Sequence, residues 1–346
     1  MFAGLRGVGK TVLLGELAGA AMGREWIVVQ VEARATDFGT LLAAELAAAV
    51  RRRKSWLSNA SSKAREALGS ITSFQASVGS PGVSLGIERL PGSADSGVLQ
   101  VDLVDLAETV GSAAIEDGIG VVLFIDEMQD LNQSQLSALC KSCHRAGQAG
   151  LPWFVVGAGL PNLPTQLAEA ESYSERLFDY RRVDRLADED ASVALLKPAQ
   201  KQGVSWADDA ADFVVSESGG YPYFIQQFGK NVWDEAGGPD TISMDDALHG
   251  VTVGQQKLDI GFYSSRWERA TKTERKFLIA MAEDDGRPSK TSVIVERLGK
   301  KRQSDVGPAR AKLISKGIVY SPEHGMITYT VPGMADYVKR LRAQQS

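Results

Sequence analysis

Within its first eleven residues the chain carries Gly4-Leu5-Arg6-Gly7-Val8-Gly9-Lys10-Thr11, which fits G-x-x-x-x-G-K-[ST]. Glycines in this pattern let backbone N–H groups turn inward and cradle phosphate oxygens, and the lysine adds a positive charge for the outer phosphates. The Thr11 hydroxyl is a hard oxygen suited to Mg2+. A helix must follow at once, so that its positive end faces the same anion. Val12 to Met22 is rich in Ala and Leu, as such a helix requires.

The next elements alternate. Trp26–Val31 (WIVVQV), Val121–Ile125 (VVLFI) and Trp153–Val156 read as buried strands. Helices are expected over Asp37–Ala49, Val101–Ala114 and Ser134–Ala146, and the basic run Arg51-Arg52-Arg53-Lys54 follows the first of them. This order indicates a parallel sheet with helices on both faces. Residues 69–98, rich in Gly, Ser and Pro, read as an inserted loop or hairpin. After Asp184 the pattern turns helical, over Asp190–Gln200, Asp208–Ser216, Tyr223–Ala236 and Met244–Arg269, with no further buried strand and a break at Gly237-Gly238-Pro239. From Thr271 onward three helices (Thr273–Glu283, Lys290–Leu298 and Val306–Lys316) precede two short strands, Ile318–Tyr320 and Met326–Val331. That is the order of a winged helix.

The strand Val121–Ile125 ends in Asp126-Glu127, the Walker B arrangement. The first carboxylate is expected to hold Mg2+ and the second to orient or deprotonate an attacking water. In isolation a solvated strand end is the better explanation of such a pair; the phosphate loop upstream decides for the chemistry.

With both motifs in place, the sequence resembles the AAA+ ATPases. GLRGVGKT, LFIDEMQDL and VVGAGLPNLP look closest to the branch of the origin-recognition and Cdc6 proteins. Ser174-Glu175-Arg176-Leu177-Phe178 resembles the segment carrying an arginine finger in that branch, and Ser218-Gly219-Gly220-Tyr221-Pro222-Tyr223 is similar to the GGxP stretch of STAND signalling ATPases. The resemblance implies a P-loop NTPase fold of class α/β: a nucleotide-binding domain over 1–186, a helical lid over 187–262 and a C-terminal winged-helix domain over 263–346. It implies ATP and Mg2+ as cofactors. Gly4, Leu5, Arg6, Gly7, Val8, Gly9, Lys10, Thr11, Val12 and Pro222 are expected at the nucleotide, with Thr11 and Asp126 on the metal. Lys10, Asp126, Glu127 and Arg176 are the expected catalytic set. A finger at Arg176 implies a homo-oligomer; Arg176 with Arg181, Arg182 and Arg185 reads equally as a solvated basic face.

Three departures shape the expected activity. Gly157-Ala158-Gly159-Leu160 offers no polar side chain at the sensor position that ends the third strand, leaving Asn162 as the nearest candidate. Pro222 stands about where the lid arginine belongs, and Lys230 is the only cation in the following helix. Only Met1, Phe2 and Ala3 precede Gly4, whereas a central strand needs roughly five residues, so a truncated first strand is expected. The first two gaps favour a slow nucleotide switch over a fast motor.

Charge separates two readings of the C-terminal part. Between Ser264 and Ser346 stand 17 Lys and Arg against 9 Asp and Glu, an excess of +8, while the rest of the chain carries −13. Arg310, Lys312 and Lys316 on the third helix, with Lys300-Lys301-Arg302 before it and the His324 turn as a wing, fit duplex DNA as partner. The alternative is a STAND-like switch whose winged helix packs on protein. Cys140-Lys141-Ser142-Cys143-His144 matches a haem-attachment pattern, yet it sits within an expected helix and no export signal precedes it. With two cysteines there is no disulfide framework. No apolar stretch reaches the ~18 residues of a membrane span. A cytoplasmic protein without membrane partners is the expectation.

Overall fold

The computed structural model describes residues 1–33, 36–53, 55–56, 61–79, 88–238 and 240–345. Lys54 and Pro239, named above, lie outside these. The chain divides into two compact units, the first comprising 1–4 and 10–182, the second 5–9 and 183–346.

The first unit is a five-stranded, wholly parallel sheet. Its elements are β1 (Phe2–Ala3), α1 (Lys10–Gly23), β2 (Ile27–Glu32), α2 (Phe38–Arg51), α3 (Ser62–Ser77), α4 (Leu99–Glu116), β3 (Val121–Asp126), α5 (Gln133–Gln148), β4 (Trp153–Gly159), α6 (Leu163–Ala170), α7 (Ser174–Leu177) and β5 (Arg181–Arg182). The strand order is β2-β3-β4-β1-β5. Because side chains alternate along a strand, Val28, Val122 and Phe124 face α1, where Leu14, Ala18 and Ala21 cover them. Ile27, Val29, Val31, Leu123 and Ile125 face the other way, into the larger core beneath α2 to α5. The short β1 runs between β4 and β5, pairing Phe2 with Ala158 and with Arg181.

Residues 69–98 depart from the expected loop or hairpin. Residues 69–77 belong to α3, which buries Ala67, Leu68, Ile71 and Phe74 at helical spacing. Ser61 caps its start by accepting from Ala64 N (3.1 Å). The small residues that disguised the helix make room for the returning chain. A Cβ on Gly69 would meet Leu90 Cβ at 3.0 Å. Ser73 Oγ donates to the Leu90 carbonyl (2.9 Å), and the Ser70 and Ser93 hydroxyls lie 2.8 Å apart. Residues 80–87 of that stretch lie outside the described residues.

The second unit continues with α8 (Asp188–Gln200), β6 (Ser205–Trp206), α9 (Asp208–Ser218), α10 (Pro222–Glu235), β7 (Thr241–Ile242), α11 (Met244–Lys257), α12 (Ser264–Glu268), α13 (Lys272–Ala282), β8 (Ser289–Lys290), α14 (Thr291–Arg297), α15 (Gly307–Ser315), β9 (Val319–Tyr320), β10 (Met326–Tyr329) and α16 (Met334–Gln345). Two expectations are corrected. Trp206 and Ile242 are buried members of a short parallel pair, β6 with β7, so strands do recur after Asp184. The expected single helix over Met244–Arg269 is broken by a π-helical turn, Leu258–Tyr263. The C-terminal hairpin gains a third strand: β10 pairs antiparallel with both β8 and β9. Among the described residues no helix is long and apolar enough to cross a membrane.

Candidate nucleotide site

The phosphate loop is drawn tight around its own backbone. Gly7 and Gly9 take φ of +88° and +91°, a region closed to most side chains. Lys10 opens α1, is 7% exposed, and donates from Nζ to the Gly4 carbonyl (2.9 Å). Gly4 N in turn donates to the Gly159 carbonyl at the end of β4 (3.1 Å). Val12, expected at the nucleotide, is exposed in the first turn of α1.

Thr11 reaches the end of β3. Its Oγ1 donates to Asp126 Oδ2 (2.5 Å), while Asp126 Oδ1 accepts from Glu127 N (2.8 Å). Glu127 itself sits at φ 53° and ψ 37°, a left-handed conformation uncommon for a residue with a side chain. Such backbone strain collects at functional sites. Thr11, Gln30, Glu32, Asp126 and Glu127 line one cleft. Glu32 is in register with Asp126, so two neighbouring strands each end in a carboxylate there. Their oxygens are hard donors of the kind Mg2+ takes, while among the described residues no three His, Cys, Asp or Glu side chains are gathered as a metal cage.

Two residues missed by the sequence reading complete this half. Gln129 Nε2 donates to Glu127 Oε2 (2.5 Å), and its Oε1 accepts from Leu160 N (2.9 Å). It thus brings a polar side chain to the end of β4, at Leu160. A side chain two positions beyond a strand end gives no periodic signal, and only the tertiary contact reveals it. Glu32 was one residue past the expected end of its strand. Asn162, the sequence candidate for this place, instead precedes α6, with Oδ1 buried and unbonded. Arg176 is an exposed side chain on the short α7. Cys140 and Cys143 lie within α5, and burial pushes both thiols up to about 12.

Residues 5–9 belong to the second unit, where the turn after α9 holds them. Gly219 ends α9 in a left-handed cap. Gly220 follows at φ +72°, and a Cβ there would meet the Leu186 carbonyl oxygen at 2.4 Å. That turn presents Tyr221 and Tyr223 to the loop. Tyr223 N donates to the Gly7 carbonyl (3.1 Å), and the Tyr221 hydroxyl donates to the Arg6 carbonyl (3.2 Å). Burial raises the Tyr221 phenol well above its ordinary value, with the Asp184 charge adding to the shift, so it stays a donor at neutral pH. A Cβ on Gly7 would crowd Tyr223 Cβ at 3.1 Å and the Tyr221 ring at 3.3 Å. Pro222 occupies the first turn of α10, where a missing N–H costs nothing. The loop has a further partner: Arg6 N donates to the Thr330 carbonyl just past β10 (3.1 Å). The Arg6 guanidinium lies against Gly317.

The third helix of the C-terminal part does not offer all the cations expected of it. Arg310 Nη2 donates to Ser321 Oγ (2.8 Å) and to the Met326 carbonyl (3.3 Å), tying α15 to the hairpin. Lys316 Nζ donates to the fully buried Glu274 (2.5 Å) and to the Arg269 carbonyl (2.8 Å). Lys300, Lys301, Arg302 and Lys312 are exposed.

Residues 2–156 match the AAA ATPase domain family, and residues 260–338 match a domain of unknown function, DUF8462. In structure the chain is similar to a Walker-type ATPase of Pyrococcus abyssi, at 15% identity and a TM-score of 0.60, over 98% of this chain and 90% of that one. It also aligns with Cdc6p of Pyrobaculum aerophilum (15% identity, TM-score 0.45, 99% and 87% covered). Orc1 of Aeropyrum pernix, in complex with DNA, aligns at 14% identity and a TM-score of 0.43, over 100% and 87%. No curated protein sequence matches the chain. The chain carries an AAA ATPase domain, and the activity that goes with it is ATP hydrolysis.

Proposed function

We propose that this protein is a nucleotide-dependent switch in which ATP bound at the phosphate loop is read by the C-terminal part of the chain. One observation carries the reading. Backbone groups of Arg6 and Gly7, inside the loop, are hydrogen-bonded to Tyr221, Tyr223 and Thr330. A loop that shifts on phosphate binding stretches or re-forms those bonds.

In this reading Lys10 exchanges its bond to the Gly4 carbonyl for the outer phosphates. Thr11 and Asp126 hold Mg2+, with Glu32 close by; the ion supplies charge neutralisation for the phosphates. Glu127 accepts the proton of the attacking water, oriented by Gln129, which acts as a positioning residue through the carboxylate. The C-terminal helices and hairpin take the part of a winged helix. A second reading, that this part also contacts duplex DNA, is favoured by the exposed run Lys300, Lys301 and Arg302 with Lys312 beyond it.

Hydrogen exchange with and without ATP tests the switch. Amides of Tyr223 and of the 318–333 segment should change protection on ATP binding in the wild type and in Glu127→Gln. The change should vanish in Lys10→Ala, and Glu127→Gln should bind ATP yet not turn it over. Unchanged protection at saturating ATP in the wild type would refute the switch.

A further inference from the structure

We propose that the cleft between α8 and α10 of the second unit binds a small, uncharged, planar heteroaromatic molecule that carries both a hydrogen-bond acceptor and a donor, as a lactam does. The cleft has a volume of about 530 Å3, within the roughly 300–1,000 Å3 of small-molecule sites. Its walls follow from helical spacing. Side chains four residues apart share a helix face, so Ala194 and Pro198 meet the cleft from α8, and Ile225, Gly229 and Trp233 from α10. Gly229 lets the two helices approach: a Cβ there would stand 2.8 Å from Leu195 Cδ1. The small side chains of Ala194 and Ala199 leave the remaining space unfilled.

Two polar groups of this lining lack their ordinary partners. Trp206, at the end of β6, is 9% exposed, and its Nε1 is buried with no hydrogen-bond partner. Pro198 stands inside α8 and has no N–H to give the Ala194 carbonyl four residues back. Trp206, Ala194 and Pro198 all line the cleft. A buried donor left unsatisfied costs about 1–3 kcal/mol, and native structures keep few of them without a reason. One idle donor and one idle acceptor are complemented by a molecule that offers the reverse pair. The occupant is uncharged because Lys230, the only ionisable side chain of the lining among the described residues, is bound to Asp234 one turn on. It is planar because Trp233 lines the cleft with 40% of its surface exposed, a ring on which another ring can stack.

The probe is carbostyril, a planar bicyclic lactam, titrated into the full chain and followed by the indole N–H signals of its six tryptophans in heteronuclear NMR. ATP takes no part in the assay, so the nucleotide reading and this one fail separately. The indole signal missing from Trp206→Phe identifies Trp206, and in the wild type it should move downfield as carbostyril binds. Trp206→Phe and Pro198→Ala should each weaken carbostyril about two- to tenfold, the worth of one hydrogen bond. Pro198→Ala regains a helical N–H, so its melting temperature should not fall, and its weakened binding does not report unfolding. N-Methylcarbostyril keeps the acceptor and lacks the donor; it should respond to Trp206→Phe and be indifferent to Pro198→Ala. No binding by the wild type, an unmoved Trp206 signal at saturating carbostyril, or equal losses of both probes in Pro198→Ala overturns the proposal.

Discussion

The pair Glu274–Lys316 offers the sharpest test of how the C-terminal part is held together. Glu274 is fully buried at the start of α13 and accepts from Thr271 N (2.8 Å) and Lys316 Nζ (2.5 Å), while its Oε1 has no partner. Lys316→Met removes the only cation that bonds this carboxylate among the described residues. Breaking a buried pair from one side costs about 3–5 kcal/mol. Lys316 keeps 29% of its side chain exposed, so water reaches the pair and about 2–3 kcal/mol is expected. Burial alone would raise the Glu274 carboxyl, but the bonds from Lys316 and Thr271 outweigh it and hold it below its ordinary 4.5. A depressed folded value means stability that is fully present above the unfolded value and lost as pH falls through the folded one. In Lys316→Met burial acts with less opposition, the carboxyl rises above 4.5, and the variant recovers by taking up a proton as pH falls. Native-state hydrogen exchange of the α13 amides measures both. The wild type should exceed the variant by about 2–3 kcal/mol at pH 7.5, and the gap should narrow by about half near pH 4.5. A double variant, Glu274→Gln with Lys316→Met, should be less destabilised than Lys316→Met alone. A gap that is constant between the two pH values would refute the reasoning.

Two further outcomes follow from the site and the surface. Gln129→Ala removes the Gln129 hydrogen bond from the Glu127 carboxylate, so kcat should fall about tenfold with the ATP dissociation constant unchanged; an equal loss in binding would place Gln129 in nucleotide recognition instead. If the C-terminal part contacts duplex DNA, fluorescence anisotropy should show binding that weakens steeply with salt, and charge reversal of Lys300, Lys301 and Lys312 should weaken it while Lys339→Glu does not; equal losses from both would remove the DNA reading.

Much of the first unit was legible because its signals are local. Buried strands read as β-branched runs, and the loop at 4–11 announces itself by residue type and spacing. The helix Ser62–Ser77 was not legible, since its small residues serve a tertiary contact with Leu90 and Ser93 that composition reports as a loop. Asp126 and Glu127 were singled out from their place at a strand end, and the structure brings Asp126 to Thr11 across 115 positions of sequence. The contacts of Gln129 with Leu160 and of Tyr223 with Gly7 were not found, because each is a long-range hydrogen bond that leaves no trace in spacing. The π-helical turn at Leu258–Tyr263 was hidden for a similar reason: it changes the backbone bonding of a stretch whose composition stays helical.

Net charge misleads most in the C-terminal part. An excess of +8 suggests a basic face, yet charge counts say nothing of where each cation is used. Arg297 forms a two-pronged bridge to Asp284, with both contacts at 2.7 Å. Lys339 is paired with Asp285, Arg340 with Asp259 (2.6 Å) and Arg342 with Glu283 (2.8 Å), so the last helix spends its cations on the body of its own unit. Arg275 lies over Trp267, 5.2 Å from the ring centroid. Arg310 and Lys316 brace the hairpin and the buried Glu274. The cations left exposed are fewer than the arithmetic implied: Lys272, Lys276 and Lys290 lie apart from α15, whereas the Lys300-Lys301-Arg302 run and Lys312 lead into and along it. The positive excess therefore divides between cations paired within their own unit and cations left exposed, and charge reversal confined to the exposed run should leave the paired ones in place.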